Sequence, residues 1–207
     1  MIAILDYKAG NLASVKRALD YLGHPAQITD DPSLIMQAEK VIFPGVGAAG
    51  ATMENLQKLG LVEVLREDVY EAGKPLLGIC IGIQVIFQRS EEDQAECLGL
   101  LDGVIKQFPY KDGLKVPQIG WNRVWQVKSH PIFHGVPNGA HCYFVNSYYP
   151  VPSDPAIVIG TSEYGVKFPS VIAQGNLVAT QFHLEKSGEW GLRMLDNFCR
   201  LKGERGC

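Results

Sequence analysis

The chain has 207 residues, 46% hydrophobic and 20% charged, with 19 Lys+Arg against 22 Asp+Glu and a net charge of −3. That length suits a single domain over 1–207 and is short for two. The balance excludes a disordered chain and, with no basic cluster, argues against nucleic acid and membrane as partners. The five cysteines (Cys80, Cys97, Cys142, Cys199 and Cys207) are odd in number and lack CxxC or Cys/His ligand spacing. A reduced, cytoplasmic protein without a metal site is expected.

In chain order, MIAILD reaches Asp6 too soon for a signal segment or membrane span and reads as a buried strand, Ile2 to Leu5. The loop DYKAGN leads into a helix from about Leu12 to Leu22, with Val15, Leu19 and Leu22 on one face and Gly23 as its stop. A short strand at 27–29 follows, then a short helix beyond Pro32 capped by Asp31 or Ser33. VIFPG at 41–45 is a third strand running into glycines, and helices at about 50–59 and 61–72 precede an apolar strand beginning at Pro75. This alternation predicts an α/β fold, a doubly wound, mostly parallel sheet with helices on both faces. Ligands of such sheets bind beyond the carboxyl ends of the strands.

After Gln88 the pattern changes. SEEDQAE reads as a solvated turn, and from Leu98 the helical period gives way to short β-rich runs: GVIKQF, NRVWQV, HCYFVNSYY, AIVIGT and SVIAQG. These are expected as antiparallel strands added to the edge of the first sheet. LVATQFHLE at 177–185 reads as one last strand, before a helix over about 188–201.

Two strand ends carry chemistry. In PLLGICIGIQ at 75–84, Gly78, Cys80 and Gly82 form the nucleophile-elbow pattern, with Cys as the nucleophile. The glycines let flanking backbone pass close by, and the first turn of the following helix favours a thiolate. His183 and Glu185 stand two apart, so strand alternation would put an imidazole and its orienting carboxylate on one face. Each motif singly also fits a buried structural cysteine or a surface His–Glu pair. Together they describe a Cys nucleophile with its base, facing the PGVG turn at 44–47 across one crevice.

GICIGIQ at 78–84 with QFHLEKS at 181–187, in that order, resembles the class I (triad) glutamine amidotransferases. DYKAGNL at 6–12, FPGVGAAG at 43–50, VPQIGWN at 116–122 and YFVNSYY at 143–149 extend the resemblance over nearly the whole chain, toward the glutaminase subunits of imidazole glycerol phosphate synthases. The resemblance implies a Cys80–His183–Glu185 triad that hydrolyses glutamine to glutamate and ammonia without a cofactor. It implies an oxyanion hole from the N–H of Ile81 and that of Val46 or Gly47. It assigns the substrate to Gln84, Glu92 and the backbone of Ser147 and Tyr148. It also implies a partner, a (β/α)8 cyclase subunit that receives the ammonia, contacted through Trp121 and Asn122 with Asn11 and Lys186 near the same mouth. A peptide at Val46–Gly47 pointing its carbonyl at the oxyanion position would keep the isolated subunit slow. Lys8, Ile83 and Leu184 stand where the family usually has Gly, Met and Pro. A glutaminase serving another synthase with a paralogous cyclase, or a non-catalytic module on the same fold, remains an alternative at this stage.

Overall fold

The structure is a computed structural model that describes residues 1–110 and 113–201; Cys207 lies outside them. Its main sheet has nine strands: β1 Ile2–Leu5, β2 Ala26–Thr29, β3 Lys40–Phe43, β4 Leu76–Ile79, β7 Gln118–Gln126, β8 Ala140–Asn146, β10 Val158–Tyr164, β11 Val166–Gln174 and β12 Leu177–Thr180. Their order is β2-β1-β3-β4-β12-β11-β10-β7-β8. The half from β2 to β12 is parallel, and the half from β12 through β11, β10 and β7 to β8 is antiparallel. Most of the β-rich second half therefore continues the main sheet, but GVIKQF, expected on its edge, does not.

A small second sheet, which the sequence pattern does not reveal, pairs β5 Arg89–Ser90, β6 Gly103–Gln107 and β9 Tyr148–Pro152. HCYFVNSYY is thus two strands, β8 and β9, which part at Ser147 and enter different sheets. Ser147 keeps its carbonyl on Phe108 N–H at 3.0 Å.

The inner parallel strands are buried on both faces because helices cover both, while the edge strand β2 is partly exposed. Strands β1, β3, β4 and β12 are buried throughout, as expected for a sheet covered on two sides. One face packs against α1 Leu12–Tyr21, through Val15, Ala18 and Leu19, and α6 Gly188–Arg200, through Met194, Leu195 and Phe198. The other meets α2 Pro32–Gln37, α3 Ala49–Lys58 and α4 Leu61–Glu63 with its continuation, through Ile35, Met53, Leu56, Leu61, Leu65 and Val69. Asp31, not Ser33, caps α2, accepting the Ser33 N–H at 2.8 Å. The helix expected over 61–72 forms, but Val64–Glu71 is wound as a π-helix. Among the described residues, no helix is long and apolar enough to cross a membrane.

The last strand is shorter than its apolar run. β12 stops at Thr180, and Leu184–Lys186 is a 3₁₀ turn. His183 and Glu185 therefore meet across a turn, not through strand alternation.

Candidate active site

β4 ends at Ile79, and the chain reverses into α5 Ile81–Val85 through Cys80, at φ 57° and ψ −101°. A non-glycine residue held at such angles costs about 1–3 kcal/mol and persists only where its surroundings over-determine it. Here the Cys80 N–H donates to Thr180 O at 2.8 Å, and Ile83 N–H donates to Cys80 O at 3.1 Å. The flanking glycines serve close approach. A Cβ on Gly82 would lie 2.3 Å from Phe43 O, and one on Gly78 would lie 2.9 Å from the Gly82 carbonyl carbon. The elbow is wedged between neighbouring strands, which keeps the sulfur in one position.

His183 is fixed from three sides. Its N–H donates to Tyr143 O at 3.0 Å, and its carbonyl accepts the Ser187 hydroxyl at 2.5 Å. Ser187 Oγ in turn accepts the Tyr143 N–H at 2.9 Å, so one hydroxyl ties the turn to β8. The ring Nδ1 lies 2.8 Å from Glu185 Oε1, with the two side chains 3% and 2% exposed. Nε2 has no hydrogen-bond partner among the described residues. The Cys80 sulfur donates instead to Val145 O at 3.7 Å.

Burial opposes a charge on His183, but the Cys80 sulfur and the Glu185 carboxylate outweigh it and raise its pKa from 6.5 to about 10. A folded-state pKa above the unfolded value stabilises the fold fully below pH 6.5, and that stabilisation is lost as pH rises through about 10. Glu185→Gln should therefore lower the thermal midpoint most at pH 6.5 and below. The deficit relative to wild type should close as pH approaches 10. A deficit that is constant with pH in thermal unfolding would show that the carboxylate acts by packing alone.

Burial also pushes the thiols of Cys97, Cys142 and Cys199 up to about 12. These three cysteines are unpaired and chemically quiet.

A cavity of about 230 Å³ opens beside the sulfur. It brings together eight of the ten residues expected at the reaction site: Val46, Gly47, Cys80, Ile81, Gln84, Glu92, Ser147 and Tyr148. His183 and Glu185 do not line it, though the Cys80 sulfur is near enough to His183 to raise its pKa. Gln84 Nε2 donates to Tyr148 O at 3.4 Å, which Asn146 Nδ2 also reaches at 2.9 Å. Pro117, Val145 and Asn146 complete the wall. Their types carry no chemical signal in sequence, and only the fold brings them there. Ser187 is another residue whose part is invisible in sequence. As a serine just before α6 it has the place of a helix cap, whereas its hydroxyl is spent on the His183 turn.

Glu92 corrects the expectation of a solvated acidic run. It is half-buried, and its Oε2 accepts the N–H of Ala49, the first residue of α3, at 2.8 Å. Burial raises its pKa against the lowering by that bond. Glu92 also lines the cavity.

Ile81 N–H donates to Gly45 O at 3.4 Å, so the elbow donor is engaged by the turn opposite. The carbonyl turned onto it belongs to Gly45, one peptide earlier than the Val46–Gly47 peptide expected from sequence.

Trp121 is 58% exposed and meets Tyr143 edge to face at 5.9 Å. Asn11 and Lys186 are exposed. Asn122 differs: its Nδ2 donates to Glu163 O at 2.8 Å and its Oδ1 accepts the Arg123 N–H at 2.7 Å, so both ends of the amide are used within the sheet.

The family departures leave the site intact. Lys8 adopts φ 66°, the left-handed region that glycine enters most easily. Its N–H and Nζ bind Asp6 at 2.8 and 3.3 Å, and Nζ pairs with Asp30 at 2.6 Å. Leu184 is fully buried among the α6-side apolar residues, and His183 before it keeps φ −84°, ψ 108°. A residue before proline adopts the same extended region, so this turn does not depend on proline. Ile83 is fully buried in the core.

A strained Cys elbow backed by a buried His–Glu pair, on a sheet of this order, defines a class: the chain belongs to the glutamine amidotransferase class-I family, whose sequence model matches residues 3–201. Within it the chain groups with proteins called imidazole glycerol phosphate synthase subunit HisH. That of Moorella thermoacetica is 50% identical over 206 residues, covering 99% of this chain and 97% of the relative. That of Herpetosiphon aurantiacus is 48% identical over 207 residues, covering 100% and 97%. The fold matches a crystal structure of a glutamine amidotransferase with a TM-score of 0.71 at 18% identity, over 95% of this chain and 96% of that one. It also matches a glutamine amidotransferase from Thermotoga maritima with a TM-score of 0.61 at 18% identity, over 89% and 75%.

Proposed function

We propose that this chain is the glutaminase subunit of an imidazole glycerol phosphate synthase. The observation that carries the reading is the buried His183–Glu185 pair, at 2.8 Å, next to a Cys80 that lines a cavity of about 230 Å³. Cys80 attacks the carboxamide carbon and His183 delivers a proton to the departing ammonia. His183 then takes a proton from water as it hydrolyses the thioester to glutamate. Glu185 fixes the imidazole tautomer through Nδ1. Ile81 N–H, with Val46 or Gly47 N–H, holds the oxyanion once the Gly45 carbonyl has turned away. Gln84 and Glu92 hold the substrate with the backbone of Ser147 and Tyr148. The Glu92 carboxylate suits the substrate ammonium.

The two 48–50% identical relatives are named as subunits of a synthase, and that supports a receiving subunit for the ammonia. We read the receiver as a (β/α)8 cyclase docking on the face of Trp121, with Asn11 and Lys186 at its rim. Asn122 shapes that face through its internal bonds rather than by a free amide.

A glutamine-like electrophile tests the chemistry. Mass spectrometry should find the adduct on Cys80 and not on Cys97, Cys142 or Cys199, because burial holds those three protonated. Equal labelling of all the thiols would remove the glutaminase reading.

A further inference from the structure

Tyr7 is fully buried, its ring edge-on to Phe43 at 5.3 Å, yet its hydroxyl has no hydrogen-bond partner among the described residues. Thr52 lies near enough to influence its ionisation but makes no hydrogen bond with it. Burial and the nearby Cys80 sulfur hold the phenol well above its ordinary pKa, so it is a neutral O–H donor. A buried donor without an acceptor is rare, because it forgoes both water and protein.

The hydroxyl faces the turn that blocks the elbow. A Cβ on Gly45 would come within 1.6 Å of it, so the two are in direct contact. Around the Cβ position of Gly10, Tyr7 Oη and Val46 N lie at 3.4 and 3.5 Å, and Gly45 Cα lies at 2.8 Å. Tyr7 Oη and the Val46 nitrogen thus both lie close to Gly45 and Gly10. The Gly45 carbonyl points toward Ile81 N–H at 3.4 Å, and the Ile81 side chain packs beside the Tyr7 hydroxyl at Gly45. Turning that peptide over exchanges the two ends. Val46 N–H then faces the oxyanion position beside Ile81 N–H, and the Gly45 carbonyl, released from Ile81, becomes an acceptor for the Tyr7 hydroxyl that touches Gly45. Glycine at 45 lets the peptide turn with no Cβ to strike the phenol.

The geometry points to Tyr7 as a positioning residue that latches the competent oxyanion turn, its hydroxyl donating to the Gly45 carbonyl only after the peptide has turned. The orphan donor of the resting arrangement is satisfied in the working one, which biases the turn toward work when substrate and partner are bound. This inference rests on the glutaminase reading and adds to it a residue that touches neither substrate nor sulfur.

Tyr7→Phe in the complex with the cyclase subunit tests it, by steady-state glutamate release and thermal unfolding. Because the variant removes an unsatisfied group and keeps the ring, its thermal midpoint should match or exceed wild type. Its kcat should nevertheless fall about ten-fold or more, with KM for glutamine little changed. An unchanged kcat, or a kcat loss accompanied by a lower midpoint, would overturn the latch and leave Tyr7 a packing residue. Wild-type complex that releases no glutamate, with Cys80→Ala indistinguishable from it, would instead overturn the glutaminase reading and the latch with it. Tyr7→Leu, which also removes the ring, should lose stability as well as rate and so separates the hydroxyl from the packing.

Discussion

Cys80→Ala is expected to abolish glutamine hydrolysis in the complex, while synthesis fed by ammonium salts continues on the cyclase subunit. Removing the nucleophile of a triad costs about 10⁶ in kcat where the reaction has been dissected, because the remaining members cannot act alone. The fold should survive, since the substitution removes one sulfur and leaves the bond from residue 80 N–H to Thr180 O in place. Alanine keeps a Cβ at φ 57°, so the elbow's strain is unchanged. Glutamate release and ammonium-supported synthesis, measured side by side, separate the two activities. Glutamine-dependent activity persisting in this variant would remove Cys80 from the reaction. Loss of both activities would point to failed assembly with the cyclase.

The second large effect is silence of the isolated chain. Its elbow N–H is engaged by Gly45 O at 3.4 Å, so only a turned peptide offers two donors to the oxyanion. Losing one such donor costs about 10²–10³ in rate. The chain alone should bind glutamine and turn it over slowly, and the cyclase with its own ligand bound should raise turnover by about two orders of magnitude or more. Glutamate release by the chain, the complex and the liganded complex gives the three rates. Equality among them would show that the Gly45 carbonyl leaves the elbow without help.

Much of this was legible in sequence because it depends on local periodicity and on glycine. The strand–helix alternation up to Gln84, the elbow and the PGVG turn are all written in contiguous residues. The boundaries that failed are those where tertiary contacts override the local pattern. LVATQFHLE is apolar throughout, yet the strand ends at Thr180 because Thr180 Oγ1 donates to Phe182 O and Ser187 pulls the His183 carbonyl into a turn. HCYFVNSYY looks continuous, yet it divides at Ser147 between two sheets. Composition alone could not tell Glu92 from its acidic neighbours; only the resemblance singled it out, and the fold shows why, with α3 presenting an N–H to it. Tyr7 carried no signal at all, since an unpartnered hydroxyl is a property of the packed interior and not of a motif.

The place of β12 has a consequence for how the protein is made. This strand comes late in the chain but lies in the middle of the main sheet, between β4 and β11. A nascent chain ending before Leu177 therefore holds two partial sheets, each with an open apolar edge, and no base for its thiol. Contacts of such long sequence separation form slowly, and unpaired edges of this kind invite aggregation until they close. Synthesis from the amino terminus thus makes closure of the sheet and arrival of His183 nearly one event. His183 reaches the neighbourhood of the Cys80 thiol only once the sheet has closed, so an unfinished chain with two open apolar edges is prone to aggregate before the two side chains meet.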